Sequence, residues 1–168
     1  MPAGGQGFTL IEILLTIGIA ATVILAVSGI YMILVTTRVK NQVIGEAEGQ
    51  AAAAMQNILQ TIRNSVSITA PGAGTSGTSL TIFVIDPVKN PTVYDESAGV
   101  LRIKEGSSSA VALTNARIIV SSLTFQNLSA TGSAGSIRAR FTVTSLNNSG
   151  RNEYDYSKIV TGSASVRR

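Results

Sequence analysis

Polar and apolar positions change their spacing twice along this chain. From Ile13 to Thr37, about 25 residues, no charged side chain occurs, more than the roughly 20 that a helix needs to cross a bilayer. The pattern predicts a membrane-spanning helix over residues 8–37. A cleaved secretory signal would need a basic start and a shorter apolar stretch of about 7–15 residues, and "MPAGGQ" has neither Lys nor Arg. Beyond Arg38 the apolar residues recur every three or four positions: Val39, Val43, Ala47, Ala51, Met55 or Ala54, Ile58, Ile62 and Val66. The helix is therefore expected to continue, now amphipathic, through residues 38–66. A turn-forming stretch, "APGAGTSGTS", marks a Gly-rich loop over residues 67–79. After it the period falls to two, most clearly where Ile137, Ala139, Phe141 and Val143 alternate with Arg138, Arg140, Thr142 and Thr144.

The fold class this order predicts is α+β: a long N-terminal α-helix, membrane-spanning in its first half and amphipathic in its second, packed on a C-terminal antiparallel β-sheet over residues 80–168. The strands are "SLTIFVID", "GVLRIKE", "AVALT", "RIIVSSLTFQNL", "SIRARFTVTSL" and "YDYSKIVTGSASV", with the turn clusters "SATGSAGS" and "NNSGRNE" between the last three. Small residues line up on the helix twice. Gly18, Thr22, Ala26 and Gly29 form a stripe on which helices in lipid can approach closely. Gly45, Gly49 and Ala53 form another, read either as close packing against the sheet or as a locally weak helix.

Composition narrows the chemistry. The 168 residues contain no cysteine and no histidine, which removes disulfides, thiolate or imidazole metal sites and the commonest nucleophile and base arrangements. No catalytic residue, cofactor or metal is expected. Gly72, Gly74 and Gly77 match the dinucleotide fingerprint in form only, since a helix should follow that loop and a strand is expected instead. The net charge is +4, and Glu12 is the single charge ahead of Arg38. The basic groups are scattered, so a solvated surface is the first reading. Arg138 and Arg140, with Arg102 and Lys104, could still form one cationic sheet face able to touch DNA phosphates. Asp86, Asp95, Glu96 and Glu105 are expected in loops as surface acids.

Glu12 is costly in an apolar helix, because intramembrane acids usually have a partner or a function. "TLIE" fits a capping box, in which Thr9 caps the helix and Glu12 reaches back to its amide. Gly7-Phe8-Thr9-Leu10-Ile11-Glu12 before a long apolar helix also resembles the prepilin signal shared by type IV pilins, type II secretion pseudopilins and competence pseudopilins. The resemblance implies a leader over residues 1–7, cleavage between Gly7 and Phe8 by prepilin peptidase, N-methylation of Phe8, and pairing of Glu12 with the terminal amine of a neighbouring subunit. It implies further that the partners are other pilin subunits, an inner-membrane assembly platform and the lipid bilayer, and that the chain is a structural subunit and not an enzyme. Arg38 and Lys40 after the span favour a cytoplasmic C-terminal end; the resemblance implies the reverse. On it, the chain is a single-pass inner-membrane protein before assembly, its C-terminal domain outside the cytoplasm, and part of a cell-surface or periplasmic filament afterwards. The C-terminal stretch resembles minor pilins and minor pseudopilins. A secretion pseudopilin and a non-polymerising, membrane-anchored binding domain are the other readings of the same residues.

Overall fold

A computed structural model describes Gly7, residues 9–130 and residues 135–167. The chain is α+β, and its contacts divide it into two units, residues 1–39 and 40–168. One helix, α1, runs from Leu10 to Arg63. Within the first unit it is exposed up to Arg38 and mostly apolar, with Leu10, Leu25 and Met32 among many large side chains left uncovered. Among the described residues α1 is the one helix long and apolar enough to cross a membrane.

In the second unit the expected inward stripe is the buried one: Ala47, Ala51, Ala54, Met55, Ile58 and Ile62. Small residues at the start of that face bring the helix close to the strands, and larger ones fill the space further on. Gly45, Gly49 and Ala53 are exposed, and nothing lies within 4 Å of a Cβ placed on either glycine. That stripe faces solvent and not the sheet.

The strands form two antiparallel sheets where the sequence suggested one. The first has the order β1(Ser65–Ala70), β3(Leu80–Val84), β4(Thr92–Ser97), β5(Val100–Glu105), β6(Val111–Ala112). The second has β2(Ser76–Gly77), β7(Ile118–Asn127), β8(Ser136–Ser145), β9(Ser157–Ser165), the last three as a meander. Both sheets turn their apolar faces to one core: Leu80, Ile82 and Tyr94 from the first, Phe125, Ile137 and Phe141 from the second. The turn between β7 and β8 lies partly in residues 131–134, outside the described residues.

Several boundaries differ from the sequence pattern. The helix stops at Arg63, and Val66 belongs to strand β1, where it is exposed. The period-of-four pattern ran on by accident, because Val66 follows Ile62 at helical spacing. Strand β4 occupies a stretch in which hydrophobic spacing predicts no strand, and it carries Asp95 and Glu96 on its ladder. It turns into β5 through Ala98 (φ 52°) and Gly99 (φ 78°), with Ser97 paired to Val100. Two left-handed central residues make the tight hairpin turn that Asn-Gly serves best, and alanine is strained there. Ala98→Asn is expected to raise stability by about 0.5–1 kcal/mol, read from urea unfolding of the two proteins. The Gly99 carbonyl accepts from the Val120 amide at 2.8 Å, which ties this hairpin to β7 of the other sheet.

Candidate functional site

Helix α1 opens on the backbone of Thr9, whose carbonyl accepts from the amides of Glu12 (3.1 Å) and Ile13 (3.2 Å). The capping box is not formed: among the described residues no side-chain bond joins Thr9 and Glu12. The Glu12 carboxylate has no hydrogen-bond or ion-pair partner among them, and its residue is exposed. Its backbone carbonyl accepts from Thr16 Oγ1 at 2.7 Å. An acid in a first turn is favoured by the helix dipole, yet beside it stand the exposed apolar side chains of Leu10, Ile11, Ile13, Leu14 and Leu15. Such a surface has no water-compatible reason to exist on a single chain, and contiguous apolar area of this kind marks contact with lipid or protein.

The other candidates from the sequence lie around this acid. Gly7 is exposed; Phe8, its partner in the expected cleavage site, lies outside the described residues, as does the leader over residues 1–6. Gly18, Thr22, Ala26 and Gly29 are all exposed at helical spacing, and no atom stands within 4 Å of a Cβ on Gly18 or Gly29. The Thr22 hydroxyl is turned back on its own helix, donating to the Ile19 carbonyl at 2.8 Å.

In the second unit the acids have partners. Asp95 takes a two-pronged bond from Arg102 (2.9 and 2.8 Å), Glu105 pairs with Lys89 at 3.3 Å, Glu96 accepts the Gly99 amide at 2.7 Å, and Asp86 accepts the Val88 amide at 3.0 Å. Those four acids do not converge, and no group of three potential metal ligands occurs among the described residues. The single cationic face is not formed either. Arg138 and Arg140 lie on β8 of one sheet, Arg102 and Lys104 on β5 of the other. The Gly72 to Gly77 stretch follows a strand, β1, contrary to expectation, but it ends in β2 and is followed by β3 and not by a helix. It lacks the helix N-terminus that a pyrophosphate needs.

Two acids on the second-unit part of the helix clamp it to the strands. Glu46 accepts from Asn115 Nδ2 (2.9 Å) and Arg117 (3.1 Å); Glu48 accepts from the Tyr156 hydroxyl (2.7 Å) and Lys158 (2.5 Å). The Asn115 amide, then Arg117, holds the Glu46 carboxyl below its ordinary value, and Lys158, then Tyr156, does the same for Glu48. Lowered carboxylate pKa values stabilise the fold above the unfolded value near 4.5 and lose that effect as pH falls through the folded one. Acid unfolding is accordingly expected to steepen below about pH 4.5 and to flatten in Glu48→Gln, followed by circular dichroism against pH. No signal in sequence spacing could have found these clamps, because their partners are about 70 to 110 residues away.

Comparison of the chain with protein-family models, with curated proteins and with solved structures returns no match.

Proposed function

We propose that the chain is a structural subunit of a filament of the type IV pilus kind, of the minor-pilin sort, made as a precursor and cut between Gly7 and Phe8. One observation carries the reading: an apolar helix stretch that no described residue covers, with a carboxylate in its first turn, Glu12, that has no partner among the described residues. Both halves of that observation ask for a second molecule. Lipid suits the apolar surface before assembly, and the helices of other subunits suit it afterwards. A carboxylate out of water asks for a cation, and cleavage before Phe8 would create one. A free α-amine, with a pKa near 7.7–8.0, is largely protonated at neutral pH, whereas the uncut chain has only a neutral amide there. Assembly is thereby gated by processing.

In this reading prepilin peptidase cuts and methylates Phe8, an inner-membrane platform assembles the subunits, and residues 40–168 form the filament's outer surface outside the cytoplasm. The chain catalyses nothing itself. Mass spectrometry of the mature N-terminus is expected to find N-methylated Phe8. An intact Met1, or a cut at another position, would sink the reading and leave a permanently anchored domain. A secretion pseudopilin would give the same N-terminus; it differs in which assembly platform's loss leaves the subunit in the membrane.

A further inference from the structure

Four strands end the two sheets, and three are protected in ways that natural proteins use against unwanted pairing. Strands β2 and β6 are two residues long, and β1 has two register shifts along its pairing with β3. Strand β9 has none of these protections. It is nine residues long, pairs with β8 without a register shift, contains no proline, and carries no charge after Lys158.

The direction of its free groups follows from the register. The Val166 amide donates to Gly135, and the Ser145 amide donates to Tyr156. In an antiparallel ladder alternate residues face the partner strand, so Lys158, Val160, Gly162 and Ala164 bond to β8. Ser157, Ile159, Thr161, Ser163 and Ser165 point their amides and carbonyls away from the sheet. No described residue takes them up. The row ends at Arg167, whose amide reaches the Arg63 carbonyl of the helix at 3.4 Å.

We infer that this open edge of β9 is a docking strand for an extended segment of a partner protein whose side chains alternate apolar and acidic. The main-chain bonds would add a strand to the second sheet, and the two faces beside β9 set the alternation. On the inner side, Ala51, Ala52, Val143 and Val160 line a cleft of about 190 Å³ between helix and strand that the Glu48, Tyr156 and Lys158 clamp also borders, and Met55 and Leu59 stand over the missing side chain of Gly162. Apolar side chains of the added strand fit there. On the outer side, Arg138 lies opposite Ser163 and Arg140 opposite Thr161. Both arginines are exposed, and small hydroxyl residues separate them from the open edge, so they can lean across it. No acid occurs on the outer face of β8 or β9. Carboxylates on the added strand, two strand spacings from β8 or about 10 Å, complete that face. The inference stands apart from the filament reading, since it uses only residues 40–168.

The test uses the full chain in detergent micelles and a labelled nine-residue peptide alternating valine with glutamate. Anisotropy is expected to show binding, and deuterium exchange at Ile159, Thr161 and Ser163 to slow by about tenfold or more when the peptide is present. Thr161→Pro removes one outward amide without touching the β8 ladder and is expected to weaken binding about tenfold. Should that variant not fold, exchange on the wild-type chain decides alone. Arg138→Ser with Arg140→Ser is expected to abolish the preference for this peptide over one with lysine in place of glutamate. The inference is overturned by unchanged exchange at saturating peptide, by equal binding of the lysine peptide to the wild type, by protection from single-stranded DNA in place of peptide, or by protection from a second copy of the chain alone.

Discussion

Glu12→Ala is expected to leave the chain inserted in the membrane and to remove it from filaments. Insertion should improve if anything, because a carboxylate costs up to about 2.5–3.5 kcal/mol within a membrane helix and alanine costs almost nothing. Incorporation should fall steeply. In the proposed filament the carboxylate faces a neighbour's amine in a place without water, and removing one partner of a buried ion pair costs about 3–5 kcal/mol because the other charge is stranded. That is more than about a hundredfold in subunit affinity. Glu12→Gln keeps the shape and loses the charge, so it should fail almost as completely. The effect belongs to the charge because the Glu12 carboxylate has no partner among the described residues whose loss could confuse the result. Immunoblotting of sheared filaments against membranes reads the outcome. Wild-type incorporation of either variant would leave Glu12 as a helix-end acid and nothing more.

The part of the fold that was legible in the sequence is the part in which one face of an element looks at one environment. Residues 47–62 of the helix carry apolar residues at 3.6 spacing because one side meets the core. Strand β8 alternates cleanly because Ile137, Ala139, Phe141 and Val143 are buried while Arg138 and Arg140 are exposed. What was hidden depended on partners on other strands. Strand β4 reads as "TVYDES": its outer face mixes Val93 with Asp95, which meets Arg102, and its inward residues are Thr92 and Tyr94, so neither face looks like an apolar strand. Division into two sheets depends on which strands pair, and hydrophobic spacing does not encode that. In β7 the pattern also breaks, since Ser122 (φ 53°) sits in a register shift between Ser121 and Thr124. At the candidate site the sequence pointed to the residue types and their order. It could not show that Thr9 leaves Glu12 uncapped, which depends on how the first turn closes through the backbone.

Tyr94→Ala should be the most damaging single substitution in the second unit. The ring is fully buried among residues of both sheets and the helix, and its hydroxyl lies 2.8 Å from Asn57 Oδ1 and 2.7 Å from Thr61 Oγ1. Truncating a buried aromatic ring costs about 3–5 kcal/mol, against a total of about 5–15 kcal/mol for a domain. Tyr94→Phe separates the packing from the proton. It keeps the ring and loses the hydroxyl, at about 1 kcal/mol, since Thr61 retains its own bond to the Asn57 carbonyl at 2.9 Å and both residues are near water. Burial pushes the Tyr94 phenol up to about 12, with Thr61 opposing and the negative Glu105 adding. A pKa raised in the folded state gives stability that is complete below the unfolded value near 10 and is lost as pH rises through about 12. Two pH units correspond to about 3 kcal/mol, so the wild-type domain should weaken markedly across that window. Lys158, raised by Glu48, adds a smaller alkaline loss, so Tyr94→Phe should flatten the slope without removing it. Urea unfolding between pH 8 and about pH 11.5 measures both. Equal alkaline slopes in the wild type and the Phe variant would mean that the phenol ionises without unfolding the core, and that the ring's burial is looser than its place between helix and strand requires.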